Sequence, residues 1–447
     1  MTTPYNRALD GAVLPTFFYY AIPSLFGLLA ISTAGVVDGI FVGRYLGANA
    51  LAAINLLIPY FTFMFAIALM VAIGGSVVAG KHLGEKDNAC ANAIFTLSLL
   101  AILAFTLVMA IFNTFFHSKI FVLLGAPPAL HNEMYRYLSV MSFCFVIQLS
   151  GMVLYYFIRT DGKPMLGTIA LLVGAATNIA LDAFFLGYLR WEIEWAAWAT
   201  TLAQTGQCLI LLSFFCHKDR QLHLTHTALK ISTLIQALYN GVSEFINEIA
   251  VGVVIFTVHW LLLRHSGTNG VAGFAVTNYL LFVGTMIFYG VIDAVHVLIS
   301  QNFGAKQHLR VQQVMVTSSM TVLSVSLGMV TLAWFLPSYI TALFLDDIND
   351  SASQHAMLFI NLIWPCFIFS GLNLLLSAYF TAIQQPRQSA YIALCRGLFL
   401  PVGLLLIFVM LNTPWHFLVA LPVAEAMTFV FALTLYNKQL PKQLQFV

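Results

Sequence analysis

The chain has 447 residues, of which 60% are hydrophobic and only 8% are charged, and its formal net charge is +2. Soluble domains carry about 25% charged residues, so this composition excludes a soluble protein and indicates a polytopic membrane protein. So small a net charge gives no reason to expect nucleic acid or an acidic partner.

Apolar runs separated by charged or Gly/Pro-rich turns predict twelve membrane-spanning helices, and therefore an all-α polytopic fold. A span needs about 20 apolar residues, and the 36 residues between Arg44 and Lys81 contain no Asp, Glu, Lys or Arg. The first six spans are predicted at 14–43, 50–79, 92–116, 135–157, 165–187 and 194–216. The second six are predicted at 234–263, 271–300, 312–336, 354–381, 389–411 and 415–436.

The distribution of lysine and arginine predicts the topology, because both residues are enriched in cytoplasmic loops. With both termini cytoplasmic, thirteen of the nineteen lie inside: Arg7, Lys81, Lys86, Arg159, Lys163, Lys218, Arg220, Lys230, Lys306, Arg310, Arg387, Lys438 and Lys442. Five lie outside, namely Arg44, Lys119, Arg136, Arg190 and Arg264, and Arg396 falls within a span. The bias supports twelve spans with both ends in the cytoplasm.

The longest polar connection, Cys216–Ser232, divides the chain into two sets of six spans. We therefore predict two six-helix bundles, at residues 1–222 and 223–447. A shift of 220 residues places Gly47 on Gly267 and Gly84 on Gly304, which indicates an internal repeat; coincidence between two apolar sequences is the alternative. Because each half has an even number of spans, the repeats are expected to be related by a pseudo-two-fold axis along the membrane normal.

Acidic residues within spans identify candidate functional positions, because a charged side chain at the centre of a bilayer costs roughly 2.5–3.5 kcal/mol or more. Asp38 lies six residues before Arg44, and Asp182 eight before Arg190. Thr200 lies six residues after Glu194 on a span that runs inward. At 1.5 Å per residue, all three lie about 9–12 Å below the outer boundary. Asn178 shares the helix face of Asp182, one turn deeper.

Four polar groups at similar depth are expected to form one pocket, for which three interpretations stay open. Two carboxylates in a low-dielectric site cannot both stay ionised cheaply, which suits a proton carrier. Carboxylate and hydroxyl oxygens also suit Na⁺. The third interpretation is a hydrogen-bond network that only stabilises helix packing. Pro23, fifteen residues before Asp38, is predicted to be either a hinge or an ordinary kink.

Other intramembrane charges are secondary candidates. Glu244 and Glu248 lie one turn apart on span seven, and Asp293 lies on span eight. Arg396 is predicted to pair with Glu425, because a buried ion pair costs less than two lone charges. No Walker A, HExxH, GxSxG or CxxCH motif occurs, so neither an enzyme, a cofactor nor a metal centre is predicted.

Several segments resemble the multidrug and toxic compound extrusion (MATE) family over essentially the whole chain. They are DGIFVGRYLGANALAA, AGKHLGEKDN, RTDGKP, NIALDAFFLG, WAAWATTLAQ, SGTNGVAGFAVTN and SQNFGAKQ. The resemblance is to the DinF-type branch, whose polar network on helices 1, 5 and 6 matches Asp38, Asn178, Asp182 and Thr200, and whose helix 1 bends at a proline matching Pro23. The NorM-type branch has an acid on helix 10, and span ten here has none.

The resemblance implies a multidrug efflux antiporter of the bacterial inner membrane that exports organic compounds, often cationic or amphipathic, in exchange for H⁺ or Na⁺. It implies small-molecule substrates, a lipid bilayer environment and a monomer. Protonation of Asp38 is expected to bend helix 1 and drive the exchange. A lipid-linked precursor flippase of the same superfamily is the alternative, although such proteins usually have extra spans and a cationic central cavity.

Overall fold

The structure, a computed structural model, describes residues 6–227, 229–345, 350–411 and 416–441. Within these ranges every regular element is a helix. Eleven helices are long and apolar enough to cross a membrane, and one bent pair raises the number of spans to twelve. The predicted all-α polytopic fold is therefore confirmed.

The first compact unit comprises the residues up to Asp10 and Ile22–Gly241. The first six long helices are α1 (Val13–Tyr45), α2 (Ala48–Gly84), α3 (Asn88–Leu123), α4 (His131–Thr160), α5 (Pro164–Asp182) and α6 (Ile193–Leu212). A π-helix, Ala183–Tyr188, continues α5. Their cores are filled by the alanine, leucine and phenylalanine side chains that made these runs apolar in the sequence.

The second compact unit comprises Gly11–Ala21 and the residues from Val242 onward. Its long helices are α7 (Val242–His265), α8 (Gly267–Gly304), α9 (His308–Phe335), α10 (Ser351–Ile363 and Cys366–Ala382), α11 (Pro386–Met410) and α12 (Ala420–Asn437). The two parts of α10 meet at 54°, next to Pro365, whose ring nitrogen cannot donate a helical hydrogen bond. The division at residue 222 and the two-fold axis remain predictions.

Span seven differs from its predicted extent of 234–263. A separate helix, Ile231–Asn240, ends at Gly241, and α7 begins at Val242. The apolar run is continuous across Gly241, so the hydrophobic pattern gave no sign of the break. The predicted single helix is therefore wrong at its amino-terminal end.

Two glycines allow α2 and the helix Ile231–Asn240 to touch through their backbones. A Cβ atom on Gly74 would overlap the Ala237 carbonyl oxygen, and one on Gly241 would overlap the Met70 carbonyl oxygen. No other residue type fits without moving a backbone. This contact holds the end of the interbundle connection against the first unit.

Alanine at either of these glycines is expected to destabilise the protein by about 1–3 kcal/mol, because overpacking forces a backbone shift. Thermal unfolding of purified Gly74→Ala and Gly241→Ala in detergent measures this effect. Gly206→Ala is the matched control, since nothing lies within 4 Å of a Cβ at that position. Equal melting temperatures for Gly241→Ala and Gly206→Ala would contradict the role of close backbone contact.

Candidate functional site

Two carboxyl groups from α1 and α5 face each other in the first unit. The side chains of Asp38 and Asp182 lie within hydrogen-bonding reach of each other. Asp182 is fully buried, and no donor among the described residues reaches its oxygens or Oδ1 of Asp38. Two ionised carboxylates so placed would repel each other in a low-dielectric site. A proton on one of them supplies the missing donor.

The other two predicted groups form a second pair beside the first. Asn178 Nδ2 donates to Thr200 Oγ1 over 3.4 Å, and Thr200 Oγ1 donates to the Ala196 carbonyl oxygen over 3.3 Å. Asn178 lies one turn from Asp182 on the same face of α5. The structure thus brings the four groups from α1, α5 and α6 together as two adjacent pairs.

The helix that carries Asp182 changes its winding at this residue. Asp182 is the last α-helical residue of α5, and the π-helix Ala183–Tyr188 begins immediately after it. Single π-helical turns within α-helices occur frequently at functional sites. The Phe41 and Tyr45 rings of α1 pack over Gly187, 3.6–3.8 Å from where its Cβ would lie. The carboxyl pair therefore lies where α1 packs against the irregular end of α5.

Tyr137 of α4 belongs to the same region, and the sequence analysis missed it. Its buried phenol lies close enough to Asp38 and Asp182 to interact with them electrostatically, and its ring packs against Phe61 at 6.2 Å between centroids. Tyr137 lies six residues after His131, the outer end of α4, which is about 9 Å along a helix. The depth rule that selected the acids would have found it if tyrosines had been included.

Helix α1 is held loosely along most of its length. Only 17% of its apolar window is buried, the smallest share among the eleven helices that qualify as spans. It is continuous through Pro23, and the assignment to compact units changes at Ile22, one residue earlier. Arg310 Nη2 donates to the Gly11 carbonyl oxygen over 2.8 Å, which anchors the start of the helix within the second unit.

The secondary candidates lie in the second unit. Glu244 is buried, accepts a hydrogen bond from Asn247 and lies near Asp293 and Glu248. Asp293 is also buried. The structure thus brings the three acids of α7 and α8 into one neighbourhood.

The predicted ion pair between Arg396 and Glu425 is confirmed. Arg396 Nε lies 3.0 Å from Glu425 Oε1. The two residues belong to α11 and α12, so the pair joins neighbouring helices.

The loop after α4 holds the connection that follows α6. Asp161 Oδ1 accepts hydrogen bonds from the backbone N–H groups of Gln221 and Leu222, each over 2.7 Å. An ion pair between Lys163 Nζ and Asp219 Oδ1, at 2.6 Å, lies beside it. Burial raises the pKa of the Asp161 carboxyl from 3.8 to about 7, although the two N–H donors and Lys163 oppose this shift.

We expect this connection to detach more readily as the pH rises. A carboxyl whose pKa is raised on docking stabilises the docked state fully below about pH 3.8, and this contribution is lost as the pH rises towards 7. The opening constant should rise by up to about tenfold per pH unit between these values. Hydrogen exchange of residues 217–225, corrected for intrinsic rates, measures it. Asp161→Asn should flatten the pH dependence, and an unchanged slope would contradict this interpretation.

Comparison with known proteins places this architecture among transporters. The family model described as MatE matches residues 23–184 and 245–407. The two matches begin 222 residues apart, close to the shift of the predicted repeat. Multidrug export protein MepA of Staphylococcus haemolyticus (strain JCSC1435) is 23% identical over 438 residues, which cover 96% of this chain and 95% of that protein.

Solved structures share the fold. A crystal structure of MATE in the straight conformation has a TM-score of 0.92 and 19% identity, covering 99% of this chain and all of that one. A crystal structure of MATE in the bent conformation has a TM-score of 0.88 and 20% identity, covering 98% of each chain. At these identities the likeness establishes the fold.

Proposed function

Because the chain belongs to the MatE family, whose members are transport proteins rather than enzymes, we propose that it exports organic compounds from the cell in exchange for H⁺. Relatives named as multidrug export proteins support multidrug efflux as its activity. The observation that carries the proposal is the Asp38–Asp182 pair, two facing carboxyl groups with no donor among the described residues for three of their four oxygens. Such a pair binds and releases a proton at low cost in structure.

The proton and the substrate are coupled through α1. When Asp38 and Asp182 share a proton, α1 and α5 hold together; when both ionise, repulsion between the carboxylates drives them apart. Asn178 and Thr200 offer amide and hydroxyl groups that exchange hydrogen bonds as this happens. Changes in the position of α1 then alter the room for substrate beside it.

Pro23 is the hinge of this movement. It supplies no backbone N–H to the helical ladder, so bending there breaks fewer hydrogen bonds than bending elsewhere in α1. The loose packing of α1 and the change of unit one residue before Pro23 support this role. Related proteins with the same fold are described in straight and bent conformations.

The remaining features follow from the same proposal. The protein is a multi-pass membrane protein, which we place in the bacterial inner membrane as a monomer with both termini in the cytoplasm. It belongs to the DinF-type branch, needs no cofactor, and takes small organic molecules as substrates. Na⁺ is the alternative coupling ion, since the same oxygens would bind it.

An Asp38→Asn variant tests the proton role in cells. The amide keeps the size of the side chain but cannot exchange a proton, so efflux of a fluorescent cationic dye should fall to the level of cells without the protein. Membrane abundance measured by immunoblotting controls for expression. Wild-type efflux by this variant at normal abundance would refute the role of Asp38.

A further inference from the structure

The second unit contains a cavity of about 280 Å³ that the proposed exchange mechanism does not use. Side chains from α7, α8, α10, α11 and α12 line it. The cavity is largely apolar, and four aromatic rings contribute to its wall: Phe274, Phe282, Tyr289 and Phe367. Its size suits a small ligand of two or three fused rings, close to the lower end of the usual range for ligand pockets.

One wall presents a carboxylate without a partner. Glu248 lines the cavity and is partly exposed to it. It forms no hydrogen bond or ion pair with any residue that the structure describes, whereas Glu244, one turn earlier, accepts a hydrogen bond from Asn247. A carboxylate beside aromatic rings is the arrangement that binds organic cations, through ion pairing and cation–π contact.

The opposite chemistry is found on α11. Arg396 lies in the π-helix Cys395–Phe399 and uses only its Nε to bind Glu425, at 3.0 and 3.3 Å from the two oxygens. Asn373 Nδ2 donates to Glu425 Oε2 over 2.7 Å. Among the described residues none accepts a hydrogen bond from Nη1 or Nη2 of Arg396. Those N–H groups are available to an oxygen acceptor in the cavity.

The charges that line the cavity sum to minus one, since Arg396 and Glu425 cancel and Glu248 remains. We propose that this cavity is a binding site for flat aromatic monocations: Glu248 neutralises the cation, the rings stack on its faces, and Arg396 donates to an oxygen at its other end. The inference extends the proposed export function, which supplies the class of ligand. Binding there requires no coupling ion.

Equilibrium binding to the purified protein in detergent tests the site without any gradient. The probe is 10-methylacridinium, a permanent fluorescent cation, and the comparison is acridine at pH 8, which is neutral and of similar shape. We expect Glu248→Gln to weaken 10-methylacridinium binding at least tenfold and to leave acridine binding unchanged. Glu244→Gln makes the same chemical change one turn away, outside the cavity lining, and should bind the cation like the wild type.

A second variant guards against a folding defect in Glu248→Gln. Thr285 lines the cavity, and Thr285→Met fills part of it without altering any charge, so it should weaken both probes. Monodisperse elution is required of each variant. Wild-type affinity of Glu248→Gln for the cation, or unchanged binding of both probes by Thr285→Met, would overturn the proposed site. Because no transport is measured, a failed exchange mechanism at Asp38 would leave this result unaffected.

Discussion

Replacing Asp182 with asparagine is expected to reduce substrate-coupled proton movement roughly 5- to 150-fold, the usual range of a coupling free energy between two sites. Asp182 is fully buried beside Asp38, and an amide can neither release a proton nor repel the ionised Asp38. The variant should still bind substrate, because the substitution preserves size. Uptake of a fluorescent cation into proteoliposomes under an imposed pH gradient measures the effect.

The double variant makes this prediction sharper. If Asp38 and Asp182 share one proton, Asp38→Asn added to Asp182→Asn should cost little more than either change alone, because residues that act as one unit are not additive. Thr201→Val in α6 is a control of similar depth, since Thr201 Oγ1 only donates to the Ala197 carbonyl oxygen of its own helix. Additive losses in the double variant would show two independent sites and contradict a shared proton.

Replacing Pro23 with alanine is expected to slow turnover on the order of tenfold with little change in substrate affinity, because hinge movements set the rate of many transport and catalytic cycles. Alanine restores the missing N–H and strengthens the straight form of α1. Stopped-flow dye transport gives the turnover rate, and equilibrium binding in detergent gives the affinity. The loose packing of α1 leaves Pro23 as its main point of reduced stiffness.

Pro59 provides the matched control for this experiment. It lies inside α2 in the same way that Pro23 lies inside α1, but α2 is more extensively buried, which restrains its bending. Pro59→Ala should therefore change turnover much less than Pro23→Ala. Equal slowing by both variants would indicate a general effect on helix stability and leave Pro23 as an ordinary kink.

Composition, hydrophobic runs and helix geometry account for much of what was predicted. The twelve apolar runs needed only the length of a bilayer crossing. The depths of Asp38, Asp182 and Thr200 followed from a rise of 1.5 Å per residue, and residues at one depth on packed helices come together. This is why the structure contains the Asp38–Asp182 contact and the Asn178–Thr200 hydrogen bond.

Features that depend on packing escaped prediction. The break at Gly241 arises because the backbone of α2 approaches it, and a run of apolar residues contains no record of such an approach. The π-helices after Asp182 and around Arg396 are likewise set by neighbouring helices. The sequence analysis paired Arg396 with Glu425 correctly but treated the pair as structural only. The cavity that Arg396 faces became visible when helices distant in sequence were placed together.

The exchange of H⁺ for substrate is tested most directly by reconstituting the purified protein in proteoliposomes and imposing one gradient at a time. With a pH gradient and no Na⁺, we predict accumulation of a fluorescent cation, together with proton movement in the opposite direction, and loss of both in Asp38→Asn. With a Na⁺ gradient at equal pH, we predict no accumulation. Accumulation driven by the Na⁺ gradient alone, or proton movement retained in Asp38→Asn, would contradict the proposed exchange.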